Sequence, residues 1–287
     1  MKIRVGCLFE HDTVGDAAAV VMVDPHRSVG ETVLEQEFAT SPPFEERAFE
    51  DLYGNRCRRL ILPPGLSTFS YDAIVEISPE NEQMPTEQDG QHRIEDLPDE
   101  LLHWLLPSRY VESDVLMQPV WKLLGQTQPG VERVQAVCDW IHENIAYGVP
   151  SVQSTSTIEI YERRGGMCRD FAHMGVAFCR ALGIPARYVF GYLPDIGIPG
   201  PFPPMDFHAW FEVFLGEQWW TFDARFNTPR IGRVAIGNGR DAADVAMITT
   251  FGAASLRRMV VWSDEIGEDG AALPAGPPLE AGVPDVG

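Results

Sequence analysis

Gly165-Gly166-Met167-Cys168-Arg169-Asp170-Phe171-Ala172-His173 decides how this chain is read, because it sets one cysteine just after a two-glycine break, at the first turn of an expected helix. From Cys168 to Leu182 the apolar residues Phe171, Met174, Phe178 and Leu182 recur at three- and four-residue steps, and Gly183 with Pro185 ends the run. The unpaired N–H groups and positive dipole end of such a helix favour an anion, so Cys168 is expected to be an activated thiol. A lone cysteine at a helix start is more often a small hydrophobe than a nucleophile, so its partners decide the reading.

Those partners stand downstream. His208-Ala209-Trp210-Phe211-Glu212-Val213-Phe214-Leu215 and Gln218-Trp219-Trp220-Thr221-Phe222-Asp223 flank Gly216-Glu217. This predicts a β-hairpin with a two-residue type II′ loop. In that register Leu215 faces Gln218, Trp210 faces Asp223 and His208 faces Arg225. His208 and Asp223 become diagonal neighbours about 7–8 Å apart at Cα. A carboxylate so placed can hold an imidazole by one ring nitrogen and leave the other for a thiol, the Cys-His-Asp geometry of nucleophilic acyl transfer.

The segment Arg164 to Ala172, the continuation Leu182-Gly183-Ile184-Pro185-Ala186-Arg187-Tyr188-Val189, the His208-Ala209-Trp210 strand and the Trp220-Thr221-Phe222-Asp223 strand resemble the transglutaminase-like superfamily, over roughly residues 100 to 262. More narrowly, they are similar to its bacterial branch of transglutaminase-like cysteine peptidases. The resemblance implies an α+β fold, a papain-like catalytic core behind an N-terminal antiparallel β-domain. It also implies roles: Cys168 as nucleophile, His208 as general base and acid, and Asp223 as orienter. The family's oxyanion is met by the cysteine backbone N–H and an upstream aromatic, commonly Trp in the animal enzymes. Tyr147 is the candidate for that position here, and Trp210 is a further candidate for the oxyanion site or substrate groove.

The expected organisation is a β-domain at 1–80, an acidic linker at 81–99, the catalytic domain at 100–262 and a disordered acidic tail at 263–287. Short strands are predicted at 3–9, 18–24, 31–38, 46–49, 56–62 and 71–78, and another at 233–236. The run from Pro79 to Glu100 has few apolar residues and many Glu, Gln, Asp and Pro, and reads as a linker. Three helices are predicted before the cysteine helix: near 98–106, at about 131–146, and one opened by Ser156 and Glu159 in capping-box spacing.

Five cysteines at positions 7, 57, 138, 168 and 179 form no disulfide framework. No charged-then-apolar leader is visible at Met1 to Cys7, and the longest apolar run, Ala17 to Val23, is too short to span a bilayer, so a cytoplasmic protein is expected. The net charge of −20 argues against nucleic acid or an anionic membrane as partner. The expected partner is a peptide or protein substrate, with the oligomeric state left open. No cofactor and no metal site are expected: on a helix turning 100° per residue, His173 points away from Cys168, and Cys179 lies about 16 Å along the axis. Gly237-Asn238-Gly239-Arg240-Asp241-Ala242 matches a dinucleotide fingerprint by letters but lacks the surrounding βαβ unit, and reads as a turn before a capped helix. His142 and His173 read as surface or boundary residues.

The expected function is hydrolysis of peptide or isopeptide amides through a thioester. The alternatives are protein-glutamine transamidation, or a non-catalytic binding module on the same fold.

Overall fold

The computed structural model describes residues 1–26, 31–198, 200, 203–267 and 269–273. Six strands come first: β1 (Lys2–Thr13), β2 (Ala17–Val21), β3 (Thr32–Ser41), β4 (Glu46–Glu50), β5 (Arg56–Leu62) and β6 (Gly65–Glu76). Burial alternates along β2 and β6, so every second residue reaches the core, as the pleat requires. Two short 3₁₀ turns follow, Ile94–Asp96 and Asp99–Leu105. The second replaces the α-helix expected near 98–106.

The helical part contains α1 (Ser113–Leu124), α2 (Val131–Asn144), α3 (Thr157–Arg163) and α4 (Cys168–Ala181). Helix α1 is additional to the three expected before the cysteine helix, and Pro119 falls inside it, removing a hydrogen-bond donor. Its apolar face compensates. Leu116, Val120 and Leu124 are buried, and the Trp121 indole N–H donates to the Ala181 carbonyl at 2.8 Å. Between helices, β7 (Ala146–Tyr147) runs parallel to β8 (Gly165–Gly166). A second sheet is formed by β9 (Ala186–Tyr192), β10 (His208–Leu215), β11 (Gln218–Phe222) and β12 (Val234–Gly239), in the order β11-β10-β9-β12. Gly239, expected in a turn before a helix, ends β12 instead, and Asp241 organises the turn after it by accepting the Ala243 N–H.

The chain then returns to its start. Strands β13 (Ile248–Phe251) and β14 (Ala254–Ile266) pair antiparallel with β2 and β1, giving sheets ordered β13-β2-β5-β4 and β14-β1-β6-β3. This corrects the expected boundary at 262/263, which falls within β14. Residues 263–266, assigned to the tail, are strand, because their backbone groups pair with Lys2 to Val5. The remainder of the expected disordered tail, beyond residue 273, lies outside the described residues. The buried residues of the β-sheets and of the helical part form one contiguous core. For example, the Tyr192 hydroxyl donates to the Val23 carbonyl at 2.8 Å, and the Phe207 ring lies against Phe9 and Tyr192.

The acidic linker is also corrected. It is a docked strap, held by polar pairing and by apolar anchors, Met84 against the main core and Leu97 beside Leu101 and Trp104. Glu82 N–H donates to the Arg230 carbonyl and the Glu82 carboxylate accepts from Arg233; Gln91 Nε2 donates to the Leu182 carbonyl; His92 contacts the Gly216 carbonyl. His173 is corrected from boundary residue to core: it is buried between Tyr110 and Tyr188 and accepts the Ala242 N–H at Nε2. Burial pushes it down to about 3, so it is neutral. His142, for which no partner was expected, has Nδ1 at 3.2 Å from the Ala224 carbonyl.

Helix α4 crosses β10 closely enough that a Cβ at Gly175 would lie 2.3 Å from the buried Phe211 ring. Gly175→Ala should therefore lower stability by about 1–3 kcal/mol despite the better helix propensity of alanine. Urea denaturation checks this; an unchanged midpoint would mean the helix–sheet contact is looser than described.

Candidate active site

Cys168 owes its place to the two residues before its turn. At Gly165 a Cβ would meet the Val149 side chain at 2.7 Å, and at Gly166 it would meet Asp170 at 2.6 Å, so only glycine lets β8 thread between them. Asp170 is fully buried and accepts the Met167 N–H at 2.9 Å, capping α4 from its third position. Its charge is balanced by Arg169 at 3.3 Å and Arg163 at 3.9 Å. Cys168, partly buried, is the first residue of the helix, so its N–H has no partner within the helix.

The hairpin opposite has the expected loop: Leu215 pairs with Gln218, and Gly216 has φ 59° while Glu217 does not share the left-handed region, as a type II′ turn requires. The ladder runs from Leu215–Gln218 to Phe211–Phe222, and the chain then turns, with Asn227 N–H donating to the Asp223 carbonyl. Asp223 thus sits just past the end of β11, and His208 opens β10. Their side chains meet, His208 Nε2 lying 2.7 Å from Asp223 Oδ2, and both are buried. That leaves His208 Nδ1 free of Asp223, with Arg225 Nη1 3.4 Å away, and Cys168 lies close enough to the imidazole for the two to shift each other's titration.

The electrostatics follow from this placement. Burial pushes Asp223 up, but His208, Arg233 (Nη2 at 3.3 Å) and the Arg225 N–H on Oδ1 hold it well below the usual carboxylate range. Burial pushes the His208 imidazole down, and Asp223 and Cys168 outweigh it, leaving His208 above its ordinary value. Burial likewise pushes the Cys168 thiol up. Hydrogen bonding to His208, its charge, the Ala209 backbone and Arg225 bring it below the ordinary thiol value. The other cysteines go the other way: burial pushes Cys7 and Cys57 up to about 12 and raises Cys138 and Cys179 as well. A lowered thiol beside a raised imidazole is the condition for a thiolate–imidazolium pair.

Tyr147 lies alongside, because β7 pairs it with Gly166. It is 43% exposed, its ring is edge-on to Phe171 and stacked under Arg225 at 3.9 Å, and burial with the nearby Cys168 keeps its hydroxyl protonated. Trp210, the further candidate for the oxyanion site or substrate groove, is almost fully buried: it is 1% exposed, covered by the Arg233 guanidinium at 4.4 Å, and sits behind His208. It borders a cavity of about 500 Å³ lined also by Arg230, Arg233 and Glu212, which neither Cys168 nor His208 lines. Sequence reasoning missed Arg233 and Glu82, which reach the site from other elements and carry no local signal. Arg225 had one: it is two residues past Asp223 and opposite His208 in the extrapolated ladder. Among the described residues no cluster of His, Cys, Asp and Glu could hold a metal ion, and no helix is long and apolar enough to cross a membrane.

The sequence profile of the transglutaminase-like superfamily matches residues 121–224, the segment that holds Cys168, His208 and Asp223. A solved structure of a candidate cysteine protease from Cytophaga hutchinsonii shares 32% identity with this chain over 95% of its length and 93% of its own, with a TM-score of 0.84. The chain belongs to the transglutaminase-like superfamily. Its fold is the superfamily's α+β core behind antiparallel sheets. An uncharacterised protein of Mycobacterium leprae is 26% identical over 232 residues, 77% of this chain and 81% of the relative. An uncharacterised protein of Mycobacterium tuberculosis H37Rv is 33% identical over 129 residues, 41% of each chain.

Proposed function

We propose that this member of the superfamily is a cysteine hydrolase, a peptidase or amidase that cleaves peptide or isopeptide amides through a thioester. The observation that carries this reading is the His208 Nε2 contact with Asp223 at 2.7 Å, which leaves Nδ1 to the Cys168 thiol. Cys168 gives its proton to His208 Nδ1, and the thiolate attacks the amide carbonyl carbon. The resulting oxyanion is met by the Cys168 N–H and the Tyr147 hydroxyl. As the C–N bond breaks, the imidazolium returns the proton to the departing amine, leaving a thioester on Cys168. Water, deprotonated by His208, then attacks the thioester, releasing the acid and restoring the thiol. Asp223 keeps its charge throughout and stabilises the imidazolium. The candidate cysteine protease of C. hutchinsonii supports the choice of hydrolysis.

Alkylation followed by peptide mapping tests the nucleophile without knowing the substrate. At pH 6 to 7, iodoacetamide should modify Cys168 ahead of Cys7, Cys57, Cys138 and Cys179. Incubation with peptide and isopeptide libraries, with and without added amines, should then give hydrolysed products that Cys168→Ala does not form. Equal labelling of all cysteines would remove the nucleophile, and products carrying the added amine would assign transamidation instead.

A further inference from the structure

Arg225 stands beside the proposed nucleophile without a carboxylate partner among the described residues. Its guanidinium is wedged between the rings of Tyr147 at 3.9 Å and Phe226 at 4.5 Å, and its polar contact is His208 Nδ1 at 3.4 Å. No carboxylate among the described residues lies within ion-pair distance of it, although the chain carries 42 acidic residues against 22 basic ones. The nearest acidic groups are otherwise engaged. Asp223 spends its side chain on His208 and Arg233 and meets Arg225 only through the backbone N–H. Asp206 accepts the Phe207 N–H, and burial keeps both Asp206 and Asp195 above their ordinary values, which weakens them as counter-ions.

The chemistry of the site sharpens the point. An N–H aimed at Nδ1 is compatible only with a neutral imidazole. Once His208 has taken the thiol proton, the Cys168 thiolate is the anion that faces both cations; when that charge is spent in forming the thioester the guanidinium keeps its own, for which a substrate carboxylate is the fitting partner. Stacked between two aromatic faces, the planar guanidinium is held in place while its remaining N–H groups stay free for a bidentate acceptor.

We infer that Arg225 forms a carboxylate subsite, so that the preferred substrate carries an acidic side chain or a free carboxylate beside the scissile amide. This rests on Cys168 being the nucleophile, and the experiment separates the two. Iodoacetate and iodoacetamide deliver the same electrophile with and without a carboxylate, and both report on the same thiolate. Any change in the Cys168 pKa therefore cancels in the ratio of their rates. That ratio, measured at Cys168 by peptide mapping, should be about tenfold higher in the native chain than in Arg225→Gln, and Arg225→Lys should keep most of it. Arg225→Ala serves as a second neutral variant should the glutamine chain fail to fold. A ratio that is the same in the native and neutral variants overturns the subsite while leaving the nucleophile intact. Slow labelling of Cys168 by iodoacetamide itself would sink the nucleophile, and the subsite with it.

Discussion

Replacing His208 with alanine should lower amide turnover by at least about 10⁴-fold, because in the proposed mechanism it is both the base that takes the thiol proton and the acid that returns it to the leaving amine. The same variant has a signature independent of substrate. In the native chain the interaction with His208 and Arg225 lowers the Cys168 pKa, so the thiolate forms at lower pH than in an ordinary thiol, while His208 itself is held above its ordinary value. Without the imidazole the main influence left on Cys168 is burial, which opposes the anion, so half-maximal alkylation should move to above about pH 8.5. Iodoacetamide labelling of Cys168 from pH 5 to 10 reads this directly. A His208→Ala profile that overlays the native one would end the mechanism.

The Asp223 variants should separate chemistry from stability. Asp223→Asn is close in shape, but its amide can donate to His208 Nε2, which puts the ring proton on Nδ1, the nitrogen that must accept from Cys168. Turnover should fall by about 10³–10⁴-fold while iodoacetamide still labels Cys168 in part. Asp223→Ala removes the buried carboxylate that His208 and Arg233 share, and should cost on the order of 3 kcal/mol in urea denaturation. The pH dependence has a definite sign. Asp223 titrates in the folded chain well below its unfolded value near 3.9, so the stability it contributes is full above about pH 5 and is lost as pH falls. The asparagine chain should lack that part of the acid-induced loss. Turnover within tenfold of native in Asp223→Asn would show that His208 finds its tautomer without help.

Much of the site is legible locally. A cysteine after Gly165-Gly166 with helical periodicity behind it announces its own N-terminal turn, and two β-rich runs around Gly216-Glu217 announce their register. These signals work because the residues that decide them lie within one or two turns of each other. Tyr147 is intermediate: its helix-end position is readable, but its place beside Gly166 depends on the short parallel pairing of β7 with β8. Trp210 shows the limit. Alternation along β10 puts it on the same face as His208, yet Arg233, arriving from the approach to β12, covers its ring and leaves it almost fully buried, at the edge of a cavity that Cys168 and His208 do not line.

By itself the sequence determined the elements whose cause is local: the six leading strands, the capping box at Ser156 and Glu159, the cysteine helix and the hairpin that presents His208 and Asp223. Only the tertiary structure decided that β13 and β14 return to β2 and β1, that the acidic segment is a strap held by Arg233 and Leu182, and that Arg233 and Arg225 flank Asp223 and His208. The physical reason is that period-two and period-3.6 patterns state which face of an element is buried but not against what. Any apolar strand edge can accept any other, and a buried guanidinium can be balanced by a carboxylate from anywhere in the chain, so the partner is chosen by the packing of the whole core.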